Sequence, residues 1–293
     1  MPEHKTRNRI TCDPDENKVP QKDLYIYYLK GLLPSGATDS ADHFLGNWEE
    51  DDYSFLFFSR PSDQFVDEKI STLPNIQLLD KYEMTYEEWH GDKITTLRVN
   101  QFIIIPPWER KNQNMQSQDE FEIILDPGLV FGTGTHPTTN DCLEALLTLW
   151  YGAEIESILD LGTGTGLLAI AAVKLGCKRA LAVDFNLLAA KTAYKNVCLN
   201  GLEGKILVVH GRAEELMDKP SDLMISNIHY DVMKNLINTE AFLNFRYFIL
   251  SGLLRSEAKS VADQLKRLPV KILKTWDQDG VWHTFLGTTI NLY

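Results

Sequence analysis

The stretch ILDLGTGTGLLAIAAVKLGCKRALAVD, Ile158 to Asp184, reads as a strand, a glycine turn, a helix and a second strand in direct succession. Ile158, Leu159 and Leu161 make a short apolar run that stops at Gly162, and Gly162, Gly164 and Gly166 then alternate with Thr163 and Thr165. Such a turn lets a ligand touch bare backbone. Leu167 to Leu175 continue at helical spacing, Gly176 supplies the stop, and Ala180 to Val183 form the next strand. Parallel strands flanking a helix make a βαβ unit. Asp184, about 20 residues past the glycines, is placed to hydrogen-bond both hydroxyls of a ribose, so an adenosine-containing cofactor is expected.

The next position narrows the choice of cofactor. The nicotinamide fingerprint G-x-G-x-x-G requires glycine at position 167, where this chain has Leu167. Asp160 followed by G-T-G-T-G instead resembles the first motif of class I methyltransferases, which bind S-adenosylmethionine, a cofactor without a pyrophosphate.

At 293 residues and 44% hydrophobic composition, the chain has room for two domains and their cores. A net charge of -12 and a pI near 5.1 argue against a surface that grips nucleic acid and favour a basic protein partner. Cys12, Cys142, Cys177 and Cys198 are scattered without a C-x-x-C pair, so neither a disulfide framework nor a metal site is expected. That pattern suits a reducing, cytoplasmic setting. The basic start near Lys5, Arg7 and Arg9 is not followed by an apolar run, and no stretch approaches the length of a membrane span.

Read in order, residues 1–22 are polar and unpatterned, as a flexible leader would be. Leu24 to Leu29, Tyr53 to Ser59, Ile76 to Met84 and Leu97 to Ile105 read as strands, with a helix between Ser62 and Leu73. Together they predict a small α+β module over residues 23–107 that recognises a substrate, with Trp48, Tyr53, Phe55, Phe57 and Phe58 mostly in its core. The polar run after Trp108 predicts a linker over 108–125. Asp126 to Thr139, DPGLVFGTGTHPTT, is too irregular for a helix or strand and must be a shaped loop, followed by a helix from Asp141 to Trp150 capped by Thr138 or Thr139. Strand and helix then alternate to the end, where Asp279-Gly280 signals a hairpin that turns the last strand antiparallel. The expected fold is α/β over 126–293, a seven-stranded, mostly parallel Rossmann-like sheet of the class I methyltransferase kind with a smaller N-terminal α+β domain.

DPGLVFGTGTHPTT, the glycine turn, Ser226-Asn227-Ile228 and LSGLL at Leu250 to Leu254 together resemble the PrmA family, the methyltransferases of ribosomal protein L11. The resemblance is close over residues 126–255 and weaker elsewhere. It implies methyl transfer from S-adenosylmethionine to lysine side chains or an N-terminal amine of a protein, with a basic ribosomal protein as substrate. Related enzymes act on lysines of the electron transfer flavoprotein beta subunit. Carried over by position, it places Thr139, Gly162, Asp184 and Asn227 among the cofactor contacts, with Gly164 and Gly166 in the same turn and Phe131 and Thr135 in the signature loop. One departure stands out: His229-Tyr230 occupies the place of the family's usual Leu-Ala. His229 is a candidate to take a proton beside Asn227, and Phe131, Trp108 and Tyr230 are candidates to wall the site and face the sulfonium. Nucleic-acid and glutamine methyltransferases carry Asn-Pro-Pro-aromatic or Asp-Pro-Pro-aromatic here, and this chain lacks both prolines. A non-catalytic cofactor-binding assembly factor is the alternative from another class, opposed by the intact Asp160, glycine, Asp184 and Asn227 set.

Overall fold

The computed structural model describes residues 22–34, 36–38, 40–110 and 120–290. The leader expected over 1–22, Lys22 excepted, and most of the expected linker lie outside the described residues.

The N-terminal unit is built on four antiparallel strands, β1 (Asp23–Lys30), β2 (Phe44–Glu50), β3 (Tyr53–Phe58) and β4 (Gln77–Thr85), in the order β2-β3-β1-β4. Strand β2 carries few β-formers in FLGNWEE and escapes the sequence reading, but it pairs with β3 and makes the sheet edge. Helix α1 (Asp63–Thr72) covers the face bearing Tyr27, Leu29, Leu56 and Phe58. Phe57 and Phe58 are fully buried, as expected, while Trp48, Tyr53 and Phe55 are only half-buried. Helix α2 (Tyr86–His90) begins at a capping box between Thr85 and Glu88 and ends at left-handed Gly91.

The single strand expected from Leu97 to Ile105 is two, β5 (Leu97–Val99) and β6 (Phe102–Ile105), because Asn100 turns the chain with φ of 51°. A further strand, β7 (Phe121–Ile124), lies inside the expected linker and pairs parallel with β6. The hydrophobic run FEIIL is too short to stand out beside the polar stretch before it. Val99, Phe102, Ile104, Ile123 and Leu125 are buried in the same core as the helices of the large sheet. Residues 97–105 thus pack with the C-terminal unit.

That unit has seven strands: β8 (Ser157–Leu161), β9 (Arg179–Asp184), β10 (Ile206–His210), β11 (Leu223–Asn227), β12 (Tyr247–Leu254), β13 (Val270–Gln278) and β14 (Trp282–Thr289). Their order is β10-β9-β8-β11-β12-β14-β13, parallel throughout except β14, which runs antiparallel to both neighbours. Helices α3 (Pro137–Trp150), α4 (Leu167–Leu175) and α5 (Leu187–Leu199) contribute to one face, α6 (Tyr230–Ile237) and α7 (Arg255–Leu265) to the other. Nearly every side chain of α4, LLAIAAVKL, is buried, and each fully buried Leu or Ile there contributes about 1.5–3 kcal/mol. Helix α3 starts earlier than expected and is capped by His136, whose side chain accepts from the Thr138 amide, with Pro137 at the first helical position.

Strand order reverses between β8 and β11, and a crevice at their C-terminal ends is where α/β sheets of this kind bind ligands. Cys142 and Cys177 are buried free thiols. No helix among the described residues is long and apolar enough to cross a membrane.

Candidate functional site

The glycine turn leaves β8 at the switch point. Gly162, Gly164 and Gly166 all have positive φ, at 70°, 55° and 83°. A Cβ on Gly162 would lie 2.1 Å from Ile228 Cγ2, so the turn and the residue after Asn227 are packed against one another. The amides of Gly162 and Thr163 donate to the Val183 carbonyl at 2.8 and 2.9 Å, which ties the turn to the end of β9.

Asp184 sits at that end, 6% exposed. Its Oδ2 accepts from the Gly164 amide and its Oδ1 from the Asn186 amide, both at 2.9 Å. An ionised carboxylate offers about four acceptor positions, so two remain for hydroxyl donors. Burial raises its pKa above the ordinary aspartate range, opposed by the bonds from Asn186 and Gly164. Asp160, wholly buried at the other side of the turn, is pushed up to about 6 by desolvation, and Thr163 Oγ1 donates to its Oδ2 at 2.6 Å. Phe185, 58% exposed, follows Asp184 on the open side, and His210 Nε2 lies 2.9 Å from its carbonyl oxygen.

The signature loop is held over this turn by side chains that sequence reasoning missed. Asn196 on α5 is fully buried; its Oδ1 accepts from the Asp126 amide at 2.8 Å, and its Nδ2 donates to the carbonyls of Asp126 at 2.9 Å and Thr165 at 2.8 Å. Asn200, one turn later, clasps both backbone groups of Ile124. Two asparagines four residues apart on an otherwise apolar helix face were the available signal. Thr165 Oγ1 donates to the Gly132 carbonyl at 2.7 Å, and Lys195 pairs with Asp126 at 2.7 Å. His90 Nε2 lies 2.9 Å from the Gly128 carbonyl, with its pKa lowered by burial.

The expected site residues fall into three groups. Gly162, Gly164, Gly166, Asp184 and Asn227 converge on the switch point at the ends of β8, β9 and β11. Thr139 is buried in the first turn of α3, whereas Thr135 and Phe131 are exposed in the signature loop, Phe131 at 79%. The Phe131 carbonyl borders Gly164, 2.8 Å from where a Cβ would stand, and its ring meets Trp48 of β2 edge-on at 6.2 Å. His229 is exposed at the N-cap of α6 and makes no capping bond with its side chain. Two of the expected walls lie elsewhere. Tyr230 turns to α7, its hydroxyl 2.7 Å from Ser260 Oγ, because the helix that begins at Tyr230 carries its ring away from the strand ends. Trp108 packs edge-on to Tyr86 at 6.4 Å, in the cluster between the two units.

The arrangement suits S-adenosylmethionine on its own chemistry. A backbone that tolerates no Cβ at Gly162 or Gly164, beside a buried carboxylate with spare acceptor capacity, fits a nucleoside held by its ribose. Among the described residues no cluster of His, Cys, Asp or Glu could hold a metal. Asp184→Ala is expected to weaken cofactor binding by roughly 1–3 kcal/mol, through loss of a charge-assisted hydrogen bond and of the two amide bonds that set the turn. Titration calorimetry checks this, and an unchanged affinity would place the ribose elsewhere.

Residues 62–289 match the family model described as ribosomal protein L11 methyltransferase (PrmA). The chain is 31% identical over 229 residues to the ribosomal protein L11 methyltransferase of Desulforamulus reducens, covering 75% of this chain and 72% of that one. Against the enzyme of the same name from Staphylococcus saprophyticus the identity is 31% over 241 residues, covering 78% and 75%. The solved structure of ribosomal protein L11 methylase from Lactobacillus delbrueckii subsp. bulgaricus superposes with a TM-score of 0.56 at 26% identity, over 67% of this chain and 98% of that one. The match therefore reaches back into α1, beyond the stretch over which the sequence motifs alone are close.

Proposed function

The chain belongs to the ribosomal protein L11 methyltransferase (PrmA) family, and from that premise we propose that it is an S-adenosylmethionine-dependent protein methyltransferase acting on lysine or N-terminal amines of ribosomal protein L11. The observation that carries the reading is the convergence of the glycine turn, Asp184 and Asn227 at one switch point, with Ile228 packed on Gly162. When bound, S-adenosylmethionine supplies a methyl group already activated on a sulfonium. The protein's own task is to hold, orient and dehydrate. Gly162, Gly164, Gly166 and Asp184 hold the nucleoside end, with Phe131 and Thr135 in the loop beside it and Thr139 in the first turn of α3.

An acceptor lysine has an unperturbed pKa of about 10.4 and must enter as the neutral amine. Asn227, at the end of β11, orients that amine through its side-chain amide, and exposed His229 or bulk water receives the proton. The acidic chain, at net charge -12, favours a basic protein substrate over a nucleic acid. Selection of that substrate falls to the N-terminal unit, whose β2 edge meets the signature loop through Trp48 and Phe131.

Two measurements follow. Purified ribosomal protein L11 incubated with the chain and labelled S-adenosylmethionine should carry label on lysine or its N-terminal amine by mass spectrometry; label in RNA would overturn the assignment. Asn227→Ala should lower turnover by about 100-fold while cofactor affinity stays within about threefold, because alignment rather than cofactor binding is lost. Equal losses would make Asn227 a cofactor ligand only.

A further inference from the structure

Asp141 is a carboxylate that the cofactor crevice does not use and that an apolar helix face does not call for. It lies in α3 at 2% exposure. Its Oδ1 accepts from Gln278 Nε2 at 2.6 Å and its Oδ2 from Thr284 Oγ1 at 3.0 Å. Burial pushes its pKa up, and the bonds from Gln278 and Thr284 oppose that push. Thr284 has one hydroxyl hydrogen and donates it to Asp141, so the 2.6 Å bond between Ser251 Oγ and Thr284 Oγ1 is donated by Ser251. Three side chains from α3, β14 and β12 are thereby linked in one direction.

Ser251 stands where the ladder between β12 and β14 is interrupted. Leu250 pairs with Phe285 and pairing resumes at Leu253 with His283, so Ser251 and Gly252 together oppose Thr284 alone. This is a β-bulge, a feature that ends pairing locally and re-aims the chain. Gly252 in the bulge has φ of 83°, and a Cβ there would stand 2.9 Å from Asn227 Oδ1. Ser251 is also the register partner of Asn227 between β11 and β12. Side-chain bonds from Ser251 to Thr284 and on to Asp141 take the place of the ladder the bulge removes.

We propose that Asp141, Thr284 and Ser251 form a buried positioning relay that pins the β12 bulge beneath Asn227 and so fixes the acceptor side of the site. Ser251 Oγ also lies 3.3 Å from the Thr138 carbonyl, one residue before Thr139, but its single hydrogen is committed to the shorter bond to Thr284. The relay acts through Asn227 and rests on the role assigned to Asn227 above; none of its three members touches the substrate.

The test compares the full chain with Thr284→Val, Thr284→Ser, Asn227→Ala and the double variant Thr284→Val/Asn227→Ala. Thr284→Val keeps the shape and removes the hydroxyl. Amide hydrogen exchange at Gly252 and Leu253 should quicken by about tenfold or more in Thr284→Val, with Leu223 to Ile225 still protected, and return to the parent rate in Thr284→Ser. Turnover on ribosomal protein L11 should fall by about tenfold in Thr284→Val with cofactor affinity within about threefold, and Thr284→Val should add no more than about twofold in the Asn227→Ala background. Unchanged exchange at the bulge, or turnover losses that multiply in the double variant, would overturn the relay. Faster exchange at the bulge together with full turnover in Asn227→Ala would leave the pin standing and remove the role given to Asn227.

Discussion

Gly162→Ala should cost the site roughly 2–5 kcal/mol, seen as a loss of cofactor affinity of about 30-fold or more. Two separate terms make up that figure. An L side chain in the left-handed region at φ of 70° carries about 1–2 kcal/mol of strain. The added methyl would also meet Ile228 Cγ2 at 2.1 Å, and overpacking of this kind typically costs about 1–3 kcal/mol. Ile228 cannot swing aside cheaply, because the crowded atom is a branch at Cβ. Any backbone shift there passes directly to Asn227 on one side and His229 on the other, so turnover should fall with affinity. Gly162→Ala/Ile228→Ala tests the partition: removing Cγ2 should restore the steric share and leave the strain, a non-additive outcome that a double-mutant cycle reads directly. Gly201→Ala is the control for the strain alone, since Gly201 has φ of 64° and nothing within 4 Å of its would-be Cβ. If the double variant is as impaired as Gly162→Ala, the packing of Ile228 on the turn is not what demands glycine.

That pair of residues also shows what sequence could and could not disclose. The βαβ unit was legible because its signals are local: an apolar strand, glycines that must turn, a helix period and an acid at a fixed distance. The family match agrees with the reading of the fold. The contact between Gly162 and Ile228 was not legible, because it joins positions 66 apart, brought together by two neighbouring strands. The same holds for Asn196, which reads as an ordinary polar residue in α5 until the loop it clasps, at Asp126, is folded beside it. Capping of α3 misled for a local reason: two threonines stand where a cap is common, but the helix starts at Pro137, ahead of both, and leaves the cap to His136. Boundaries were hardest where polar composition hides a short strand. β7 is four residues long and follows a polar run, yet it carries Ile123 into the core at 0% exposure.

β7 alters what a truncation should do, and the alteration decides how the recognition role can be tested. A fragment beginning at residue 119 would keep β7 but lose β6, its parallel partner, together with Val99, Phe102 and Ile104 from the main core. Three buried side chains at about 1.5–3 kcal/mol each come to roughly 5–9 kcal/mol, a figure comparable with the whole stability of a domain, about 5–15 kcal/mol. That fragment should not fold, and its inactivity would say nothing about recognition. A fragment beginning near Lys93 retains β5, β6 and β7 and the core they share with α3 and α4. It exposes Leu129 and Leu188, which pack against Leu24, Ile26 and Phe57 in the full chain, and it gives up the bond from Asn186 Nδ2 to the Glu49 carbonyl at 3.4 Å. Lower stability is therefore expected, with S-adenosylmethionine affinity within about tenfold of the full chain, since the fragment retains the bonds of Gly162 to Val183, Gly164 to Asp184, and Asn196 to Asp126 and Thr165. Methylation of intact ribosomal protein L11 should fall by about 100-fold or more, because the remaining crevice can accept an amine but has nothing to orient the protein that bears it. Calorimetry and a thermal melt establish first that the fragment is folded and binds cofactor. Should such a fragment then methylate the intact protein as fast as the full chain, the N-terminal sheet does not select the substrate, and selection would rest with the crevice itself, with exposed His229 and Phe131 the first residues to substitute.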